Sequence, residues 1–508
     1  MERINDSKLA GVGGHIAGVA IAAALTACGF GMHDSTAPAR TGGIDGPGGL
    51  DGAVARAQCG PGSQPETSDV QGRVPIEDVE SGRSRAGYWC NLEEVGHQGN
   101  GALWQMAWYE DCAYYGLGVA FADGSTAGFV EGSPVVPAGG TAVVDVSDPT
   151  NPVQTLTLNT AAMIDPWESL KVNEKRGLLA GSALSIEGPG YVDIYDVKTG
   201  LATDCTTPVL TSSLPVGTVG HEGEWAPDGM TYYSSGFISP NTTAVDVSNP
   251  YATRTVAVIN DGIHGLSLNE AGTRLYAAEY ARGANEVGDM SPPSDGDDAV
   301  NGLEIWDVSG IQTRAVSASS AAAPSDVVGA VYWKDGAVAQ MTIPVTIDGK
   351  PYVIFIDEGG GVAEEGQPQS PGMARIIDVS DEANPVVVSK LKNEINLLEH
   401  AGLRETDGGA SGFTYQGHYC SVPRSVDPGI VACSYFWQGI RVFDIRDPHR
   451  PAEIAYFIPP LDEDDDGRAH TSSQIRFVEE RGEMWFTNQT TGFHVVRFTN
   501  GVWPFKDS

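Results

Sequence analysis

The chain has 508 residues with 30 basic and 66 acidic side chains, a formal charge of −36, which argues against a surface built to hold the phosphate backbone of nucleic acid. Hydrophobic residues make up 41% and mean hydropathy is −0.16, so the chain can bury a core and is neither wholly disordered nor a polytopic membrane protein. Its 64 glycines and 31 prolines punctuate it too often for an all-helical protein and point to many short strands joined by turns.

Residues 1–27 read as an export signal: a short polar head, Met1 to Lys8, runs into an apolar Gly/Ala-rich stretch that is short for a transmembrane helix. The stretch ends Leu25-Thr26-Ala27-Cys28. This resembles the bacterial lipobox, which implies cleavage before Cys28, a diacylglycerol on its sulfur, and an exported protein anchored at the outer membrane or cell surface. Of seven cysteines, lipidation of Cys28 leaves Cys59, Cys90, Cys112, Cys205, Cys420 and Cys433, enough for three disulfides in an oxidising compartment. Six cysteines allow 15 connectivities, so sequence alone does not choose among them. Cys420 with Cys433 is the best pair, since each lies in a strand-like run and residues 423–429 between them read as a turn.

From residue 28 to 84 Gly, Pro, Ser, Thr, Ala and Asp dominate with no sustained period, the composition of a flexible tether. Residues 85–508 then repeat one pattern: Ala142-Val-Val-Asp145-Val-Ser-Asp-Pro149, Val192-Asp-Ile-Tyr-Asp196, Thr243-Ala-Val-Asp246, Leu303-Glu-Ile-Trp-Asp307, Arg375-Ile-Ile-Asp378, Arg441-Val-Phe-Asp444 and a degenerate Phe493-His-Val-Val-Arg497. The copies are spaced 51, 50, 61, 71, 66 and 53 residues apart, the period of propeller blades with loops absorbing the variation. The β-branched run makes a strand buried between blades, and the Ser-Asp-Pro that follows supplies caps and a fixed φ for the turn into an outer strand. These lines resemble the LVIVD-repeat family of bacterial propellers, which implies a propeller fold and an exported location but no common reaction. The fold expected is therefore all-β, a seven-bladed propeller preceded by a signal peptide and a tether. Ring closure is assigned to residues 87–92, expected as the outer strand of the last blade.

A polar residue introduces the inner strand of most blades. Counting back from each motif finds His97 for blade one, Glu168 for blade two, His221, His264, Gln340, and then His418 and His470 for blades six and seven. Inner strands begin around the channel mouth, so equivalent side chains converge on the axis. Imidazoles with a carboxylate suit copper, zinc or iron. Glu222, Glu224, Glu399 and His400 are candidates to orient the imidazoles from behind. Asp462, Asp464 and Asp466, followed by Gly467, match the start of a calcium loop but lack the glutamate expected at its twelfth position. No nucleotide-binding glycine loop, G-x-S-x-G elbow, H-E-x-x-H helix or C-x-x-C pair occurs. Together these features describe a lipid-anchored extracytoplasmic propeller acting as a binding or scaffold module for a protein or small-molecule ligand. The alternatives are a metal-dependent, copper-type oxidoreductase using the channel histidines, and a calcium-stabilised surface adhesin.

Overall fold

Every Val-Asp motif forms the third strand of its own antiparallel sheet. The computed structural model describes residues 50, 52–117, 139–183, 190–198, 205–217, 220–236, 241–259, 263–282, 300–315, 326–361, 368–409, 413–461 and 467–505. The motif aspartate ends its strand by accepting the backbone N–H two residues on: Asp145 from Ser147 at 2.8 Å, Asp246 from Ser248 at 3.0 Å, Asp307 from Ser309 at 2.9 Å, Asp378 from Ser380 at 2.8 Å. A second such turn follows three residues later, with Asp148, Asn249, Asp381 and Asp447 each accepting the amide two residues on. Two consecutive side-chain caps reverse the chain into the outer strand, which is the physical content of the repeated Asp-Val-Ser-Asp/Asn-Pro. In the seventh copy Arg497 replaces the aspartate and instead donates to Glu483 at 2.7 Å.

Seven sheets result, and the protein is a seven-bladed β-propeller. Blade one is Leu103–Tyr109, Cys112–Gly116, Thr141–Asp145 and Val153–Leu158; blade two is Lys171–Asn173, Leu178–Ser182, Tyr191–Asp196 and Val209–Pro215. Blade three is Gly223–Trp225, Thr231–Ser235, Thr242–Asp246 and Arg254–Ile259; blade four is Leu266–Leu268, Arg274–Arg282, Val300–Asp307 and Asp326–Tyr332. Blade five is Ala337–Ile347, Lys350–Gly359, Ala374–Asp378 and Val386–Leu391, and blade six is Cys420–Ser421, Ile430–Tyr435, Gly439–Asp444 and Ala452–Ile458. Blade seven is Arg476–Val478, Glu483–Asn488, Gly492–Phe498 and, from the other end of the chain, Leu92–Gln98. Apolar cores fill the spaces between neighbouring blades; Met163, Leu170 and Leu179 join Tyr114 and Val143 between blades one and two, for example.

Closure therefore falls one strand later than expected. Tyr88–Cys90 pairs with Ala452–Ile458 as a fifth strand of blade six, and Leu92–Gln98 closes blade seven against Gly492–Phe498. Asn91, with φ 57°, supplies the left-handed residue at which the chain steps from one blade to the next, a conformation asparagine tolerates better than most residues.

The expectation of a tether reaching residue 84 is also corrected. Ala55 bridges to Ala452 and Gln64 to Trp89, while Val54 and Val74 are buried. Arg73 makes a two-pronged contact with Asp407 at 2.8 and 2.9 Å, and Glu66 pairs with the buried Arg441. A short helix, Ile76–Ser81, follows. This segment is held by ion pairs, single buried residues and the Cys59–Cys90 disulfide rather than by an apolar period, so its composition reads as a spacer. Cys112–Cys205 and the expected Cys420–Cys433 complete three disulfides. Cys28 and the signal segment lie outside the described residues, as do Asp462, Asp464 and Asp466.

Candidate metal centre

The blades share a register from which the site is built. In each blade the motif residue pairs with the second strand, and two residues further on that strand pairs with the inner strand; three residues back along the inner chain lies the equivalent position. It is held by Trp104, Glu168, His221, His264, Gln340, His418 and Ser473 in blades one to seven. All seven are buried. Three of them are pinned alike: His221, His264 and His418 donate their backbone N–H to Ser235, Ala278 and Ser434 at 2.9, 3.1 and 2.9 Å.

Four of the seven, Glu168, His221, His264 and His418, converge. Oε2 of Glu168 lies 2.7 Å from His221 Nε2 and 3.3 Å from His264 Nε2, and the two imidazole nitrogens are 2.9 Å apart. With Glu168 ionised, protons satisfy this triangle only in part. If both nitrogens carry hydrogen and donate to the carboxylate, they repel each other; if one is bare, its lone pair faces the carboxylate oxygen. A cation between the three atoms satisfies every contact at once. Tetrahedral ligands 2.0–2.1 Å from zinc sit roughly 3.3 Å apart, so a modest spreading of this triangle accommodates such an ion. The donors are imidazole and carboxylate with no thiolate, a set suited to divalent first-row transition metals.

On its other side, Glu168 Oε1 lies 2.9 Å from His418 Nε2, which is 3.4 Å from Oε1 of Glu358 at the end of blade five's second strand. His418 Nδ1 bonds to the Ser472 carbonyl, which fixes Nδ1 as the protonated nitrogen and turns Nε2 towards the carboxylates. Burial would raise the pKa of Glu168, but His221, His264 and His418 hold it well below the usual carboxylate range. For His221 burial prevails and lowers the pKa, whereas in His264 the pull of Glu168 outweighs burial and raises it. Burial likewise opposes charge on His418, yet Glu358 and Glu168 push it up to about 10. Next to this cluster, burial lifts Glu222 to about 7, and Tyr419 donates its hydroxyl hydrogen to that carboxylate.

Aromatic rings pack over the cluster. Trp104 lies 5.3 Å from the His418 ring, 5.4 Å from Trp167 and 5.7 Å from Phe413, centroid to centroid, and Phe436 lies 5.2 Å from His418. Trp104, Trp167 and Phe413 have φ of 25°, 47° and 59°, a left-handed backbone that is strained for bulky side chains and concentrates at functional sites. One to three residues beyond the ring the inner strands line a cavity of about 320 Å³, with Glu224, Ser267, Thr342, Ser421 and Gln474 on its walls. Lys171 reaches Gln474 at 3.0 Å and Glu224 at 3.4 Å beside it.

Among the sequence candidates, Glu168, His221, His264 and His418 therefore meet, and His97 and His470 do not join them. His97 lies on the closing strand at the rim of blade seven, exposed and stacked on His494 at 4.6 Å; blade one's position belongs to Trp104. His470 is three residues too early, where Trp437 donates to it at 3.4 Å. Glu222 stands beside the cluster, but Glu224 faces the cavity and pairs with Lys171. Glu399 and His400 pair with each other at 3.7 Å on the short turn Leu398–His400 and belong to neither group of converging ligands. Two participants escape the sequence reading. Glu358 sits on a second strand rather than at a blade start; its one signal is an acidic pair, Asp357-Glu358, ending the apolar run 352–356. Ser472, acting through its carbonyl, carries no side-chain signal at all.

A family model described as the LVIVD repeat matches residues 136–160. No curated protein is matched in sequence. Solved structures with a similar course include hydrazine synthase of Kuenenia stuttgartiensis, at 11% identity and TM-score 0.49, covering 79% of this chain and 97% of that one. The Cps50 (Swd1) β-propeller domain of Myceliophteria thermophila follows at 10% identity and TM-score 0.46, covering 80% and 99%. The WD40 domain of Toxoplasma gondii coronin has 11% identity and TM-score 0.46, covering 86% and 90%. At these scores they lend nothing to the reading of the site. Residues 136–160 are an LVIVD repeat, and the chain is a seven-bladed β-propeller that carries it.

Proposed function

We propose that this is an exported, lipid-anchored metalloprotein whose central channel holds a divalent transition ion on Glu168, His221 and His264 and offers it to small molecules entering through the cavity. The triangle of Glu168 Oε2 with the two Nε2 atoms carries this reading, because with Glu168 ionised a cation satisfies all three contacts at once and protons satisfy them only in part. With Glu168 ionised, a purely structural or scaffold role leaves one of those buried contacts repulsive. Three protein ligands leave a coordination position for water or substrate, the pattern of catalytic rather than closed structural sites. Such an ion activates a bound water or, if copper or iron, exchanges electrons. Three disulfides support export to an oxidising compartment, and Leu25 to Cys28 supports the anchor.

The test is elemental analysis of protein recovered from the periplasm or outer membrane. Bound copper, zinc, iron or another first-row metal at one or more ions per chain, lost in Glu168→Gln, is the expected result. Metal-free protein that takes up no ion on incubation with Zn²⁺ or Cu²⁺ overturns the reading. The anchor is tested separately: Cys28→Ser should move the protein from the membrane to the soluble fraction, and unchanged membrane association refutes lipidation.

A further inference from the structure

Glu168 faces two ways, and its second face is unused by the ion described above. Oε2 belongs with His221 and His264, whereas Oε1 belongs with His418 at 2.9 Å, and His418 in turn with Glu358 at 3.4 Å. The potential ligand atoms fall into two groups, each with its members within 4.8 Å of one another: Glu168, His221 and His264, and Glu168, Glu358 and His418. Glu168 alone is common to both. Donors bound to one ion at 2.0–2.1 Å cannot stand more than about 4.2 Å apart, and the three imidazoles do not form one such group.

We propose that the channel holds a second divalent transition ion on Glu168 Oε1, Glu358 and His418, so that Glu168 is a bridging carboxylate in a two-metal centre. This rests on the reading of the first ion. All five side chains are buried, and four come from blades two, three, four and six while Glu358 comes from blade five, so the two half-sites are held by separate, rigid elements. The bond from His418 Nδ1 to the Ser472 carbonyl leaves Nε2 as the ligand nitrogen, the orientation metal-binding histidines are usually given. A carboxylate bridging through both oxygens places ions about 3.5–4 Å apart, the spacing at which two metals clamp one oxygen ligand between them. Glu168 and Glu358 bring two negative charges against four positive ones, leaving the pair an excess that favours an anionic oxygen ligand, hydroxide or a substrate oxyanion, in the open positions.

The experiment loads the full-length protein with Cu²⁺, removes loose metal by dialysis, and compares bound copper with the intensity of its electron paramagnetic resonance signal. Two ions per chain with a signal well below the copper content, the mark of an exchange-coupled pair, is the expected result. Glu358→Gln should then bind one ion per chain and show a signal accounting for all of it, with circular dichroism verifying the fold. One ion per chain with full signal in the wild type overturns the second site and leaves the first standing; no bound metal removes both. Two ions retained in folded Glu358→Gln also overturns the assignment. Should that variant fail to fold, the wild-type stoichiometry and signal decide alone.

Discussion

Removing the three disulfides one at a time, as paired Cys→Ala variants, should destabilise the protein in an order set by loop length. Cys112–Cys205 closes a loop with a sequence separation of 93, Cys59–Cys90 one of 31 and Cys420–Cys433 one of 13. In the chain-entropy description the cross-link restricts the unfolded chain by an amount growing as the logarithm of loop length, giving about 4.6, 3.7 and 2.9 kcal/mol at 25 °C. The spread between the longest and shortest loops is thus about 1.7 kcal/mol. Cys112, Cys205, Cys420 and Cys433 are all buried, so truncation leaves comparable cavities and the longest and shortest cross-links can be compared directly. Cys59 is exposed but its partner Cys90 is fully buried, so the middle case leaves one buried cavity rather than two. Urea unfolding followed by tryptophan fluorescence reads the order. If loss of Cys420–Cys433 costs as much as loss of Cys112–Cys205, the unfolded-state argument fails, and strain or local packing governs instead.

Other perturbations follow from the same contacts. Arg441→Ala leaves Glu66 and Glu453 buried without their shared cation, at a cost of about 3–5 kcal/mol. It should also expose residues 54–84 to protease first; cleavage elsewhere with that segment intact contradicts its docking on blade six. Leu92→Ala, in the closing strand and 1% exposed, should lower stability by about 2–5 kcal/mol, whereas Val153→Ala, 48% exposed, should change it by less than about 0.5 kcal/mol. Equal effects in thermal melts would place the closure elsewhere. At pH 8 the metal-free His418, with its pKa near 10, carries a proton that a metal ion must displace. Loading that half-site should therefore release about one proton and weaken about tenfold for each unit the pH falls below 10. Calorimetric heats that do not change between buffers of different ionisation enthalpy would refute this.

The propeller was legible because the Val-Asp motif does one local job seven times. A strand aspartate that accepts the amide two residues on leaves a short, fixed signature whatever loops intervene, so even spacings from 50 to 71 kept the repeat visible. Glu168, His221, Gln340 and His418 could be placed by counting back from that motif. Counting failed in blade one, where residues 118–138 intervene and Trp104, not a histidine, holds the position. It failed again in blade seven, where the position belongs to Ser473 and His470 is the nearest tempting residue. The step at Asn91 from blade six to blade seven depends on one backbone angle and leaves no pattern in the sequence. Residues 54–84 pack through individual long-range pairs such as Arg73 with Asp407, which composition cannot reveal.

X-ray absorption at the metal edge of the loaded protein measures the ligand shell itself. Burial of Glu168, His221, His264, Glu358 and His418 in two adjoining ligand groups predicts nitrogen and oxygen neighbours at about 2.0–2.1 Å, with the outer-shell scattering of imidazole rings that disappears in His221→Gln/His264→Gln/His418→Gln. Sulfur neighbours at about 2.3 Å, or a shell without imidazole, would place the metal away from the channel and contradict the account.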